Sequence, residues 1–205
     1  MCVGKTTIGN QLAKRLNRTF YDLDWYIEDR MHKRIPELFA EKGEDGFRKI
    51  ERNMLHEAAE FEDIILSCGG GTPCFFDNMD YMNETGVTIF LKANPATIIN
   101  HYKMSRTVRP LLQNKSPEEL KDFITTQLED RAPFYEKARY TINVDVLDDF
   151  DKVKMVVEDI CHMVPDNLSF KRGMAFLMDA NANSFGWRSS QNIHCNSATS
   201  SLAWM

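Results

Sequence analysis

No stretch of this 205-residue sequence holds an apolar run near the about 20 residues that cross a bilayer, so no membrane partner is expected. The first charged side chain, Lys5, arrives too early for the apolar centre of a secretory leader, and a cytoplasmic protein is the resulting expectation. A cysteine framework is missing too. The five cysteines (Cys2, Cys68, Cys74, Cys161 and Cys195) are odd in number, and no two stand in C-x-x-C spacing. They read as reduced, structural thiols. Positive charge is also in deficit: 25 Lys and Arg stand against 30 Asp and Glu, a net charge of −5. A general nucleic-acid partner is therefore not expected, and local basic residues must carry any phosphate binding. No internal repeat is present. What remains is an ordinary globular composition, 43% hydrophobic and 27% charged, long enough for one α/β domain with a real core.

Apolar Ile8, Leu12, Ala13 and Leu16 recur at helical spacing and predict a helix from Thr6 to about residue 17. "TFYDLD" reads as a short strand ending in acids. The charged, aromatic-studded region 25–61 reads as two or three helices, with Pro36 in a first turn and breaks at Gly43 and Gly46. "DIILSCGGG" is a buried strand running into a glycine turn, and "GVTIFLKAN" is another strand, followed by a helix capped by Asn94-Pro95. "SRTVRPLLQNK" reads as a basic loop. Ser116 and Glu119 form a capping box for a helix to about Glu129. "RYTINVD" is the last strand, and "DDFDKVKMVVEDICHMV" the last amphipathic helix. Strands alternating with helices imply an α/β fold, a parallel sheet with helices on both faces. After Pro165 the chain turns rich in Ser and Asn without a period, so residues 165–205 are expected to be a poorly ordered tail. Its apolar piece "GMAFLM" is the one part that would replace a strand, a role not expected of it.

Gly4-Lys5-Thr6-Thr7 reads as the second half of a phosphate loop, G-x-x-x-x-G-K-[ST]. A lysine after glycine at a helix N-terminus sets an ammonium beside free backbone N–H groups, and Thr6 would offer a hydroxyl to Mg²⁺. The first half of that loop, and the strand leading into it, would lie before Met1. Asp22 and Asp24 stand two apart on a predicted strand end, so their side chains would point the same way. They would serve a metal shell and a substrate hydroxyl, or simply form a solvated strand end with a helix cap. Arg48 and Glu51 share a helical face, as a site pair or a surface salt bridge. Gly69, Gly70 and Gly71 end a strand where backbone approaches a ligand closely. Arg106 and Arg109 lie in a predicted lid over phosphates. Arg131, before a proline, would grip a carboxylate or cap a helix end.

In order, "GKTTIG", "FYDLD", "FAEKGEDGFRKIE", "GGGTP", "RPLL" and "DRAPFYEKA" resemble the shikimate kinase family over roughly residues 1–160. The resemblance implies a P-loop NTPase-like three-layer sheet of five parallel strands ordered 2-3-1-4-5. It implies a domain over 1–164, with a lid at about 104–116 and a substrate-binding subdomain at about 25–61. The implied reaction moves the γ-phosphate of ATP to the 3-hydroxyl of shikimate. Lys5 would contact the β- and γ-phosphates with Gly4 and Thr7 beside it, Thr6 would ligate Mg²⁺, and Asp22 would order the metal's water shell. Asp24 would be the base, with Arg48 and Arg131 on the substrate carboxylate and Gly69, Gly70 and Gly71 against its ring. Arg109 would swing in with the lid. ATP and Mg²⁺, shikimate and a monomer are the implied partners and state. Met1 matches a methionine common within the family's loop, so an internal methionine read as the start is expected, with the first, central strand missing. A marginal, weakly active or inactive protein follows from that loss. A non-catalytic shikimate-binding module, a non-functional fragment and another small P-loop metabolite kinase remain the alternatives.

Overall fold

The computed structural model describes residues 4–104, 116–145, 150–164 and 174–179. The apolar stripe of Ile8, Leu12 and Ala13 sits on helix α1, Lys5–Arg15. Strand β1, Thr19–Asp22, runs straight into α2, Leu23–Met31, because the Asp22 side chain caps that helix. Helix α3, Ile35–Ala58, carries Pro36 in its first turn and bends at Gly43, while Gly46 stays helical. Strand β2, Ile64–Cys68, is wholly buried. A 3-10 turn over Thr72–Cys74 leads to α4, Asn78–Thr85, an element the sequence pattern did not announce. Next come β3, Val87–Lys92, and α5, Pro95–Met104, whose cap is Asn94 accepting from the Thr97 N–H at 2.8 Å.

Helix α6, Pro117–Tyr135, starts at the expected Ser116 capping box but runs past the expected end and through Pro133. Its last turn is pinned by Tyr135, which stacks on Phe90 at 4.6 Å and donates its hydroxyl to the Gly70 carbonyl at 2.6 Å. Strand β4, Tyr140–Asn143, and helix α7, Phe150–Met163, follow. The final element is β5, Ala175–Asp179.

All strand pairings are parallel, in the order β1-β2-β5-β3-β4. Two expectations are corrected here. The central slot is not missing a strand, and the chain beyond residue 164 is not wholly an unordered tail. Residues from "GMAFLM" fill the slot, with Leu66 opposite Phe176 on one side and Ile89 opposite Leu177 on the other. The cause is hydrophobic. Met174, Phe176, Leu177 and Met178 are each fully buried, and a strand covered on both faces reads as a continuous apolar run rather than an alternation. Ala175 and Leu177 join a core with α1, α5, α6 and α7, whereas Met174, Phe176 and Met178 join a second core with α2, α3 and α4.

Gly86, at the start of β3, makes this packing testable. A Cβ there would stand 2.8 Å from the Phe176 ring and 2.9 Å from the Met174 carbonyl oxygen. A ring can shift, but a backbone carbonyl in a central strand cannot. Gly86→Val is expected to cost about 2 kcal/mol, typical of overpacking, and to lower the melting temperature by several degrees. A melting temperature equal to the parent's would contradict the placement of β5.

Candidate active site

The carboxyl ends of β1, β2 and β5 and the first turn of α1 meet at one edge of the sheet. Gly4 precedes α1 in the left-handed region, at φ +74°, which aims the chain so that Lys5 turns inward. The Lys5 ammonium donates to Ser67 Oγ on β2 at 2.7 Å and lies 3.8 Å from Asp22 Oδ2. Burial alone would lower its pKa, but the charges of Asp179, Asp22 and Asp24 outweigh that and raise it. Thr6 and Thr7, both half-buried, occupy the same turn.

Asp22 ends β1, whereas Asp24 lies in the first turn of α2, so the expected shared strand face is replaced by a helix cap. The Asp24 N–H donates to Asp22 Oδ1 at 3.1 Å. This cap orients the Asp24 carboxyl toward the glycine bend after β2, because a Cβ on Gly69 would stand 3.4 Å from Asp24 Oδ1. Burial pushes the Asp24 pKa up to about 7. The Lys5 ammonium opposes that rise, and the carboxylates of Asp22, Glu51 and Asp179 add to it.

The same absent Cβ would lie 3.5 Å from Thr72 Oγ1 and 3.9 Å from Glu51 Oε1. Glu51 holds the neighbouring arginine: Arg48 Nη1 donates to Glu51 Oε2 at 2.8 Å, and the Thr72 hydroxyl donates to Glu51 Oε1 at 2.8 Å. Arg48 is 2% exposed, with its guanidinium 4.1 Å from the Phe75 ring centroid and 5.4 Å from that of Phe47. Its Nε and Nη2 donate no hydrogen bond among the described residues, and Nη2 stands 3.6 Å from Glu44. A buried guanidinium with donors to spare suits a planar anion. Arg131, equally buried, donates to Gln127 Oε1 at 2.8 Å from α6. Its charge reaches Glu44 and the Cys74 thiol, both of which also feel Arg48. It therefore projects from within a helix rather than from a helix end.

Asp24 and the Thr72–Glu51–Arg48 chain thus gather around Gly69, with the charge of Lys5 acting on Asp24 and that of Arg131 reaching Glu44 and Cys74 beside Arg48. Arg106, Arg109 and nearly all of the expected lid lie outside the described residues. Several residues here had no role to read from the sequence. Ser67 was legible only as a polar residue inside an apolar strand, Thr72 and Tyr135 only as unassigned members of "GGGTP" and "DRAPFYEKA", and Gln127 and Asp179 not at all.

The model of the family described as shikimate kinase matches residues 1–164. The chain belongs to the shikimate kinase family. It is 51% identical over 160 residues to the shikimate kinase of Phocaeicola vulgatus, covering 78% of this chain and 91% of that one. The crystal structure of shikimate kinase from Bacteroides thetaiotaomicron is similar at a TM-score of 0.77 and 50% identity, covering 80% of this chain and 93% of that chain. The shikimate kinase from Acinetobacter baumannii in complex with shikimate is similar at a TM-score of 0.67 and 29% identity, covering 82% and 90%.

Shikimate kinases are ATP-dependent phosphotransferases that use Mg²⁺. The donors present fit that metal. Mg²⁺ keeps several waters and takes only one or two protein groups beside nucleotide phosphates. Among the described residues no group of three or more His, Cys, Asp or Glu side chains forms a cage, while Thr6 lies beside Lys5 in the first turn of α1 and the Asp22 carboxylate stands 3.8 Å from the Lys5 ammonium. Among the described residues no helix is long and apolar enough to cross a membrane.

Proposed function

We propose that this chain transfers the γ-phosphate of ATP to the 3-hydroxyl of shikimate, as a cytoplasmic monomer. The observation that carries the reading is the gathering of polar groups around Gly69. A Cβ there would stand in ordinary contact, 3.4–3.9 Å, with Asp24, Thr72 and Glu51, so glycine leaves bare backbone beside Asp24 and the Thr72–Glu51–Arg48 chain, where a small ring is received. Arg48 and Arg131 hold the substrate carboxylate, which aims the opposite edge of the ring at Asp24. Lys5 neutralises charge on the transferring phosphoryl group, and Mg²⁺, held by Thr6 and by Asp22 through water, supplies further neutralisation when bound. Arg109, outside the described residues, is assigned to the ATP phosphates on its motif alone.

The base has one task, to take the acceptor's proton late in the transfer. The acceptor oxygen forms a bond to the γ-phosphorus, the bond from that phosphorus to the β–γ bridging oxygen breaks, and ADP leaves. The hydroxyl proton passes to Asp24. Positioning and charge neutralisation do most of the work, because the transition state is loose.

A panel of acceptors tests this reading against other small kinases. With ATP and Mg²⁺, shikimate is expected to yield ADP and a phosphorylated product, while gluconate and AMP yield none. Turnover of either of those with shikimate inert would overturn it. The raised pKa of Asp24 adds a pH prediction. Below about 7 Asp24 holds its own proton and cannot accept another, so kcat/KM for shikimate should rise with pH to a plateau through an apparent midpoint near 7. A flat profile from about pH 5 to about pH 9 would contradict Asp24 as the proton acceptor.

A further inference from the structure

The end of β5 brings to the phosphate edge a group that no motif announces. Strand alternation places Ala175, Leu177 and Asp179 on one face. Ala175 and Leu177 pack in the core that holds Ile8 and Leu12 of α1. Leu177 lies so near α1 that a Cβ on Gly9 would stand 3.4 Å from it. Asp179, two residues further on, is turned to the same side at the level of the first turn of α1, where Lys5 lies. It is 1% exposed and sits opposite Leu91 at the strand's end. Its carboxylate and that of Asp22, whose Oδ2 is 3.8 Å away, both favour the charged form of Lys5. Phosphate loops meet a polyphosphate with bare backbone N–H groups at this point, between a strand and its helix. Here the strand in that slot ends in a buried carboxylate, Asp179.

We propose that Asp179 is an internal anion that competes with the nucleotide's phosphates for Lys5, so that β5 both completes the sheet and limits the affinity for polyphosphate. The inference rests on the reading that Lys5 meets those phosphates. A buried carboxylate and a phosphate share one ammonium poorly, since like charges brought together in a dry site repel strongly.

Calorimetric titration of the full chain with ADP and with adenosine tests it. Asp179→Asn keeps the side chain's shape and removes its charge. It is expected to bind ADP about tenfold more tightly, with adenosine affinity unchanged. Asp179→Ser, a second neutral variant, should move in the same direction. An unchanged or weaker ADP affinity in these variants overturns the inference, and a weaker one for Mg·ADP would place the carboxylate on the metal instead. Lys5→Ala separates the two readings. If it leaves ADP affinity intact, the phosphates do not lie at Lys5 and the underlying reading fails. If it abolishes binding while neutral residues at 179 change nothing, only the role of Asp179 fails. The unsubstituted protein carries its own check: ADP should bind within about tenfold of adenosine, and a larger ratio contradicts competition from Asp179.

Discussion

A chain ended after Gly173 is expected to give no cooperatively folded protein. Such a cut removes β5, which pairs with β2 on one side and β3 on the other. Met174, Phe176, Leu177 and Met178 are fully buried, and each such side chain contributes about 1.5–3 kcal/mol. Their sum rivals the about 5–15 kcal/mol of net stability of a whole domain. The loss is more than apolar area. Strands β2 and β3 would be left about two strand spacings, roughly 9.5 Å, apart, with facing rows of unpaired N–H and C=O groups. Circular dichroism through a thermal or urea ramp reads the result. A sloping, non-cooperative signal is expected, and a sharp transition at the parent's midpoint would show that β5 contributes nothing.

Asp24→Asn is expected to separate activity from stability. Loss of the proton acceptor should lower kcat by about 10²- to 10⁴-fold. Stability should move the other way, and only at neutral to alkaline pH. The Asp24 carboxyl has its pKa raised to about 7 in the folded protein from an ordinary 3.8. Below the ordinary value both states hold the proton and the fold bears no cost. Between the two values the folded state alone still holds it, so stability falls as pH rises, and above about 7 the full cost is present. Asparagine has no charge to bury. The variant should therefore melt higher than the parent at about pH 8 and match it near pH 4. A variant that melts lower at both would mean that the carboxylate stabilises the fold, contrary to this account.

Much of the fold was legible because its signals are local. The stripe on α1, the Ser116 capping box, the Asn94 cap and the apolar runs of β2 and β3 each declare themselves within a few residues. The extension of α6 through Pro133 was not legible, because what holds its last turn is distant: Phe90 and the Gly70 carbonyl. The same holds for β5. Five residues among Ser- and Asn-rich neighbours carry no period of their own, and only the unfilled space between β2 and β3 gives them a place. At the site, the acids, arginines and glycines of the quoted motifs stood out by type and order. Their supports did not: Ser67, Gln127 and Asp179 acquire meaning only from what folding sets beside them.

The most direct measurement is a crystal structure of the full chain with shikimate and ADP bound. The carboxylate is expected about 3 Å from the guanidinium groups of Arg48 and Arg131, with the 3-hydroxyl within hydrogen-bonding reach of Asp24 and the ring over Gly69. Shikimate bound away from these groups, or turned so that its carboxylate faces Asp24, would contradict the arrangement from which the proposed chemistry is derived.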